Sequence, residues 1–289
     1  MTKTSPSYRS DTEVTFGHLV LLFGLAVLLG VFASMFFIPI VKLIVHDKVY
    51  QSILSGALVS LSAFLLPPLV LKGFALAKRE PFFLRFTVPS PTLSSAGKAL
   101  VIMLLMLPVS SFFGWVMSLF PIPETLIPVQ EAVEAETAMI LGEQRPVGIL
   151  LVVLFLSVVA PFSEEYFFRG GLMGWLISKT KLTHPWVWAV ALVFSLAHFE
   201  WNGLIARFLM GAVLGYVALY GGLPMAILTH ALNNLFVYLL YLIFGIEDPF
   251  IPAGGEVALP QILFLSLAAL LSLSLLFYLL RKLKPASDL

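Results

Sequence analysis

The chain has 289 residues, of which 60% are hydrophobic and only 11% charged, whereas a water-soluble domain has about a quarter of its residues charged. Too few polar side chains remain to cover a water-facing surface, which excludes a soluble globular protein. A formal net charge of +1 with no dense basic patch argues against a nucleic-acid partner, and the lack of cysteine excludes disulfides, a thiol nucleophile and thiolate metal ligands.

Residues 1–18 are polar and mixed in charge. The first apolar run, from about Leu19 to Val45, is much longer than the apolar region of a signal peptide, so it reads as a first membrane helix. A crossing helix needs about 20 apolar residues to traverse roughly 30 Å of hydrocarbon. On that measure, spans are predicted at 19–41, 52–71, 98–120, 148–168, 186–202, 204–221, 223–243 and 259–280. Gly221 and Gly222 followed by Pro224 divide the sixth span from the seventh. Pro67, Pro68 and Pro108 fall inside spans and are expected to kink them. No soluble domain and no internal repeat is evident. The expected fold is therefore all-α: one polytopic transmembrane domain over 1–289, with about eight helices enclosing an intramembrane polar cavity.

Two segments read as non-crossing. Residues 80–88 (EPFFLRFTV) are too short and too charged to span, but their aromatics could rest at the headgroups. Residues 124–145 are acidic with interspersed apolar positions, and form either a helix over the outer mouth or a solvated loop. Charge placement orients the bundle. With eight spans, Lys72, Lys78, Arg79, Arg85 and Lys98, then Lys179 and Lys181, then Arg281, Lys282 and Lys284 all fall on one side. The opposite loops carry Glu124, Glu131, Glu134, Glu136 and Glu143, and further on Glu247, Asp248 and Glu256. Both termini are therefore expected in the cytoplasm, although Lys42 and Lys48 in the first loop depart from the pattern.

An ionisable group at membrane depth is costly unless paired or hydrated, so each one asks for a function. The segment APFSEEYFFRGGLMGW holds Glu164, Glu165 and Arg169. Glu165 and Arg169 are four residues apart and share a helix face, whereas Glu164 points about 100° away. The pair is expected to fix the helix and leave Glu164 free to react; a charge network without chemistry is the plainer alternative. In VFSLAHFEWN, His198 closes the fifth span, and Asn202 is expected on the same face one turn later. In THALNN, His230 and Asn234 share a face and Asn233 lies one position off it. Each alone could serve helix packing. Together they put a carboxylate, two imidazoles and carboxamides inside apolar helices, an inventory suited to attack by water on a carbonyl. The carboxylate serves as general base, an imidazole orients the water, and N–H groups meet the developing oxyanion.

The same residues leave open a single divalent metal such as zinc, with Glu164, His198 and His230 as its ligands, since two His and a Glu suffice for a catalytic site. No HExxH spacing occurs, so such ligands would have to come from three helices. Other polar residues read more plainly. His18, His46 and His184 are expected to be exposed, and Glu200 and Arg207 flank the hairpin between the fifth and sixth spans, where they could pair. Gly170, Gly171 and Gly174 suggest close helix approach or a local break.

The ordered motifs EExxxR at Glu164–Arg169, FxxxH at Phe194–His198 and HxxxN at His230–Asn234 resemble the CPBP family of intramembrane proteases, which includes the CAAX prenyl endopeptidases and the bacterial Abi-type proteins. The resemblance covers roughly residues 147–240, read here as the catalytic core. It implies that Glu164 activates water together with His198, that His230 and Asn234 bind the water or stabilise the oxyanion, and that Glu165 and Arg169 support them, with Asn233 and Asn202 beside the site. The family has been described both as metal-dependent and as metal-free. The CAAX enzymes act on a C-terminal tripeptide beyond a prenylated cysteine, while many bacterial members serve peptide maturation, bacteriocin immunity or signalling. The resemblance thus implies endopeptidase chemistry on a membrane-associated or lipidated peptide within a bilayer, in a bacterial or archaeal cytoplasmic membrane, and leaves the oligomeric state open. A non-catalytic scaffold or immunity protein of the same fold is the rival reading, and a transporter the third. One tension remains: with spans of 148–168 and 186–202, Glu164 and His198 differ in depth by several ångströms unless the fourth helix runs on towards Trp175.

Overall fold

The computed structural model describes residues 16–70, 93–180, 182–245 and 257–283. The 80–88 segment, the basic residues between 72 and 85, Lys181, Lys284 and the acidic Glu247, Asp248 and Glu256 lie outside the described residues.

Helix α1, Phe16–Ile44, turns at Asp47 into α2, which begins at Lys48 and runs to Val70. The Asp47 carboxylate accepts the free N–H groups of Val49 and Tyr50 at 3.0 and 3.1 Å, so the side chain starts the second helix as an N-cap. Helix α3 is Leu93–Ser118, and α4, Ile127–Leu141, follows a 3-10 turn at Glu124–Leu126. Helix α5 starts with Pro146 in its first turn and runs without a break to Thr180. Then come α6 (His184–Leu196), α7 (Leu204–Gly221), α8 (Leu223–Phe244) and α9 (Leu259–Lys282). Between α7 and α8, Gly222 sits at φ 88°, a conformation that a side chain would strain.

Wide π-turns mark α2 and α5. One spans Leu61–Leu65, just before Pro67 and Pro68; another spans Phe155–Val159, just before Pro161. A proline in a helix lacks the N–H that would bond one turn back and crowds that carbonyl, and a widened turn relieves both problems. A third π-stretch, Tyr166–Met173, follows the two glutamates directly.

Among the described residues, seven helices are long and apolar enough to cross a membrane: α1, α2, α3, α5, α7, α8 and α9. The chain is an all-α, polytopic integral membrane protein. The predicted span 186–202 is the one that falls short. Helix α6 has 13 residues, roughly 20 Å against about 30 Å of hydrocarbon. Beyond Leu196 the chain turns through Phe199, which adopts a left-handed φ of 53°, and the polar run Glu200-Trp201-Asn202 leads into Gly203. The acidic segment 124–145 does form a helix, α4, and it packs against α2 and α8. Outer helices α1 and α9 keep large apolar side chains exposed, among them Met35 (75%), Leu43 (79%) and Leu259 (67%). Such a surface belongs in lipid.

The interior is built in two joined layers. Helices α6 and α7 pack on the π-stretch of α5 through Phe167, Phe168, Val190, Ala191, Phe194 and Ala212. Helix α3 packs on α7, α8 and α9 on the other side. Gly211 brings α7 tight against α6, since a Cβ there would lie 3.1 Å from the Ala191 backbone.

Candidate active site

Helix α5 carries the acidic pair near the middle of its 32-residue span, Pro146–Ile177. This length resolves the depth tension: the fourth helix does run on past Trp175. Glu165 is fully buried and receives the Arg169 guanidinium at 2.6 Å across one turn. Arg169 also donates to the Gly211 carbonyl of α7 at 2.8 Å and stacks over the Phe194 ring of α6 at 4.4 Å. One side chain therefore ties three helices together.

The same Glu165 oxygen accepts from His230 Nδ1 of α8 at 2.9 Å. A carboxylate can only accept, so the proton of a neutral His230 sits on Nδ1 and leaves Nε2 as a lone pair. That Nε2 faces Glu164 Oε2 at 4.0 Å. Glu164 is the counterpart of the clamped Glu165: its side chain is 14% exposed, and its Oε2 is buried without a hydrogen-bond partner among the described residues. Two acceptors 4.0 Å apart can each hold a common water at about 2.8 Å with an angle near 90° at its oxygen.

His198 lies two residues past the end of α6, in the turn rather than on the helix. Its Nδ1 donates to the Phe194 carbonyl at 2.8 Å, which again leaves Nε2 as the lone pair. Phe194 separates the two imidazoles: its ring meets His198 at 4.8 Å and His230 at 5.9 Å, edge-on in both cases.

The carboxamides are used differently from one another. Asn234 Nδ2 donates to the Leu156 carbonyl at 2.9 Å, within the π-turn of α5 where regular backbone pairing is disturbed. Asn233 Nδ2 reaches Asn234 Oδ1 at 3.3 Å. Asn202 is not on a helical face shared with His198, as expected from the sequence, because α6 has already ended; its amide instead meets Glu134 Oε1 of α4 at 3.3 Å. That contact belongs to a set no motif announced. Gln130 of α4, 2% exposed, accepts from the Trp201 backbone N–H at 2.6 Å and donates to Glu134 at 2.6 Å. A lone glutamine in an acidic amphipathic helix was the available signal. Glu200 and Arg207 do pair across the α6–α7 hairpin.

Among the described residues, no three His, Asp or Glu side chains gather as a metal-binding group.

Known proteins add one finding. Residues 146–236 match the family described as type II CAAX prenyl endopeptidase Rce1-like. No curated protein and no solved structure gives a significant match to the chain. The matched residues contain all three ordered motifs and run from the first residue of α5 to the middle of α8. Over these residues the chain is similar to the CPBP/CAAX family of membrane proteases.

Proposed function

We propose that the protein is an intramembrane endopeptidase that hydrolyses a peptide bond of a membrane-associated or lipidated substrate, with Glu164 as general base. The observation that carries this reading is the contrast within the acidic pair. Glu165 is fixed through Oε1 by Arg169 and His230 and leaves its own Oε2 unbonded, while the unbonded Glu164 Oε2 is the one that faces the His230 lone pair at 4.0 Å.

In the proposed reaction a water donates one hydrogen to Glu164 and the other to His230 Nε2, which leaves its oxygen lone pairs directed at the substrate carbonyl. As the C–O bond forms, a water proton passes to Glu164 and charge develops on the carbonyl oxygen. The second amide hydrogen of Asn234 is available to that oxyanion. Collapse breaks the C–N bond, and Glu164 returns the proton to the leaving nitrogen. His198, with its free Nε2, acts as a second acceptor for the water or for that proton. Glu165 and Arg169 touch no reacting atom and serve as positioning residues for His230. The apolar helices around the site suit a substrate held in the bilayer.

The test is cleavage of a prenylated reporter peptide by purified protein in liposomes. Glu164→Gln keeps the shape and removes the base, and it is expected to lower kcat by about 10²- to 10⁴-fold with normal expression and melting temperature. Cleavage at the wild-type rate would end this reading.

A further inference from the structure

His198 is the one proposed catalytic group that stands in a turn; Glu164 is carried by α5, and His230 and Asn234 by α8. A side chain on a turn is placed less firmly than one on a packed helix, so something has to hold the turn. Inside it, the N–H groups of His198 and Phe199 bond back to the Ser195 and Leu196 carbonyls, each at 3.2 Å. Phe199 then takes its left-handed φ of 53°, which a bulky side chain keeps only where its surroundings impose it.

The restraint comes from α4. Gln130 is buried, although Ile127, Pro128, Val129 and Glu131 around it are exposed. A buried carboxamide needs partners, and these lead to the turn. Its Oε1 accepts the Trp201 backbone N–H at 2.6 Å, two residues past Phe199, and its Nε2 donates to Glu134 Oε1 at 2.6 Å. Asn202 donates to the same Glu134 oxygen at 3.3 Å. Helix α4 is itself anchored: Glu136 accepts from Ser52 of α2, and Ile140 and Leu141 share a core with Ile53 of α2, Val152 of α5 and Tyr238 of α8. The turn that carries His198 is thus tied, through α4, to the helices that carry Glu164 and His230.

We propose that Gln130 is a positioning residue for His198: by holding the Trp201 N–H it fixes the turn, and with it the direction in which the imidazole presents Nε2. This rests on the peptidase reading, in which His198 accepts from the water or takes up the proton. Glu134 supports the arrangement by engaging the Gln130 amide and Asn202 together.

The experiment reads turnover and the imidazole separately, with full-length protein in phosphatidylcholine nanodiscs. Gln130→Leu removes both bonds of the carboxamide. Misplacing a catalytic group by about 1 Å can cost about 10²-fold in rate, so kcat on a prenylated reporter peptide is expected to fall about 10- to 100-fold with KM unchanged. The nitrogen NMR signals of His198, identified by their loss in His198→Gln, should move from the Nδ1–H tautomer to a mixture. Gln130→Glu sets two carboxylates one turn apart and should be as slow. Adding Glu134→Gln restores every bond with the polarity reversed: the carboxylate at 130 accepts from Trp201 and from the amide at 134, whose oxygen still takes Asn202. This double variant should regain both kcat and the tautomer. A bond that merely stabilised the fold would move the melting temperature and leave the tautomer alone. Wild-type kcat in Gln130→Leu, a fall in kcat with the tautomer unmoved, or a double variant that stays slow each overturns the assignment. If the wild-type chain cleaves nothing, the peptidase reading falls, while a tautomer shift reversed in the double variant still sustains the positioning role; cleavage without any tautomer shift does the opposite.

Discussion

Helix α5 carries two arginine–carboxylate clusters of similar chemistry in opposite surroundings. At its N-terminal edge Arg145 bonds Asp47 and Glu143, each at 2.5 Å, with Arg145 50% and Asp47 33% exposed. In its middle, Arg169 bonds Glu165 at 2.6 Å with both side chains at 1% exposure or less. The outer cluster joins the α1–α2 corner to the start of α5. The inner one joins α5 to α7 and α8 and sets which nitrogen of His230 faces Glu164. Water screens the first, so its loss is a graded matter of pH and salt. Nothing screens the second, and it either holds or leaves a bare charge inside the bundle.

The sharpest way to break the comparison is Arg169→Met. It strands Glu165 without its cation, and removing one partner of a buried pair costs about 3–5 kcal/mol. A large fall in melting temperature in detergent is expected, with activity lost. Adding Glu165→Met should restore most of the stability, because the costly charge goes too, but not activity, because His230 loses the acceptor that orients it. If the double variant regains cleavage, Glu165 and Arg169 do not position His230.

This inner cluster was also the most legible part of the sequence. Glu165 and Arg169 stand one helical turn apart in an apolar run, and that spacing alone foretold their pairing and the freedom of Glu164. The length rule likewise found the spans, because hydrocarbon thickness imposes it on any crossing helix. It overran on 186–202, since Ala197, Phe199 and Trp201 alternate with polar residues past Leu196 while the helix stops there; the left-handed Phe199 and the tether from Gln130 carry no hydrophobic signature. Asn202 was misplaced for the same reason. The π-turns were invisible to a period of 3.6 residues, although Pro161 stands at the spot where one is needed. Long-range pairings such as Gln130 with Trp201 have no local signal at all.

A smaller effect tests how the inner cluster is supported. Asn234→Ala removes the donor held by the Leu156 carbonyl in the π-turn. A hydrogen bond of this kind contributes about 1–2 kcal/mol, so a modest drop in melting temperature is expected. Activity should fall further than stability does, because the same amide serves the oxyanion in the proposed mechanism. Asn234→Asp, which keeps the shape but loses the donor, should fail to restore turnover. Full activity in either variant removes Asn234 from the chemistry and leaves it a helix-packing residue.

The smallest effect belongs to the outer cluster, and there the sign is fixed by proton linkage. The Arg145 guanidinium, helped by the N–H groups of Tyr50 and Val49, holds the Asp47 carboxyl down to about 2 from an ordinary value of 3.8. Arg145 lowers Glu143 as well. A carboxylate held low in the folded chain stabilises it above the unfolded pKa, and that contribution is lost as pH falls through the folded value. Asp47→Asn should therefore lower the melting temperature by a constant amount at neutral pH. The gap to wild type should narrow below about pH 4 and close near pH 2, and moderate salt should shrink it throughout. Melting curves in detergent across that range decide the matter. A variant that melts with wild type at neutral pH would mean that Asp47 acts only as a neutral cap of α2, a part that asparagine fills equally well, and that its ion pair with Arg145 adds nothing measurable.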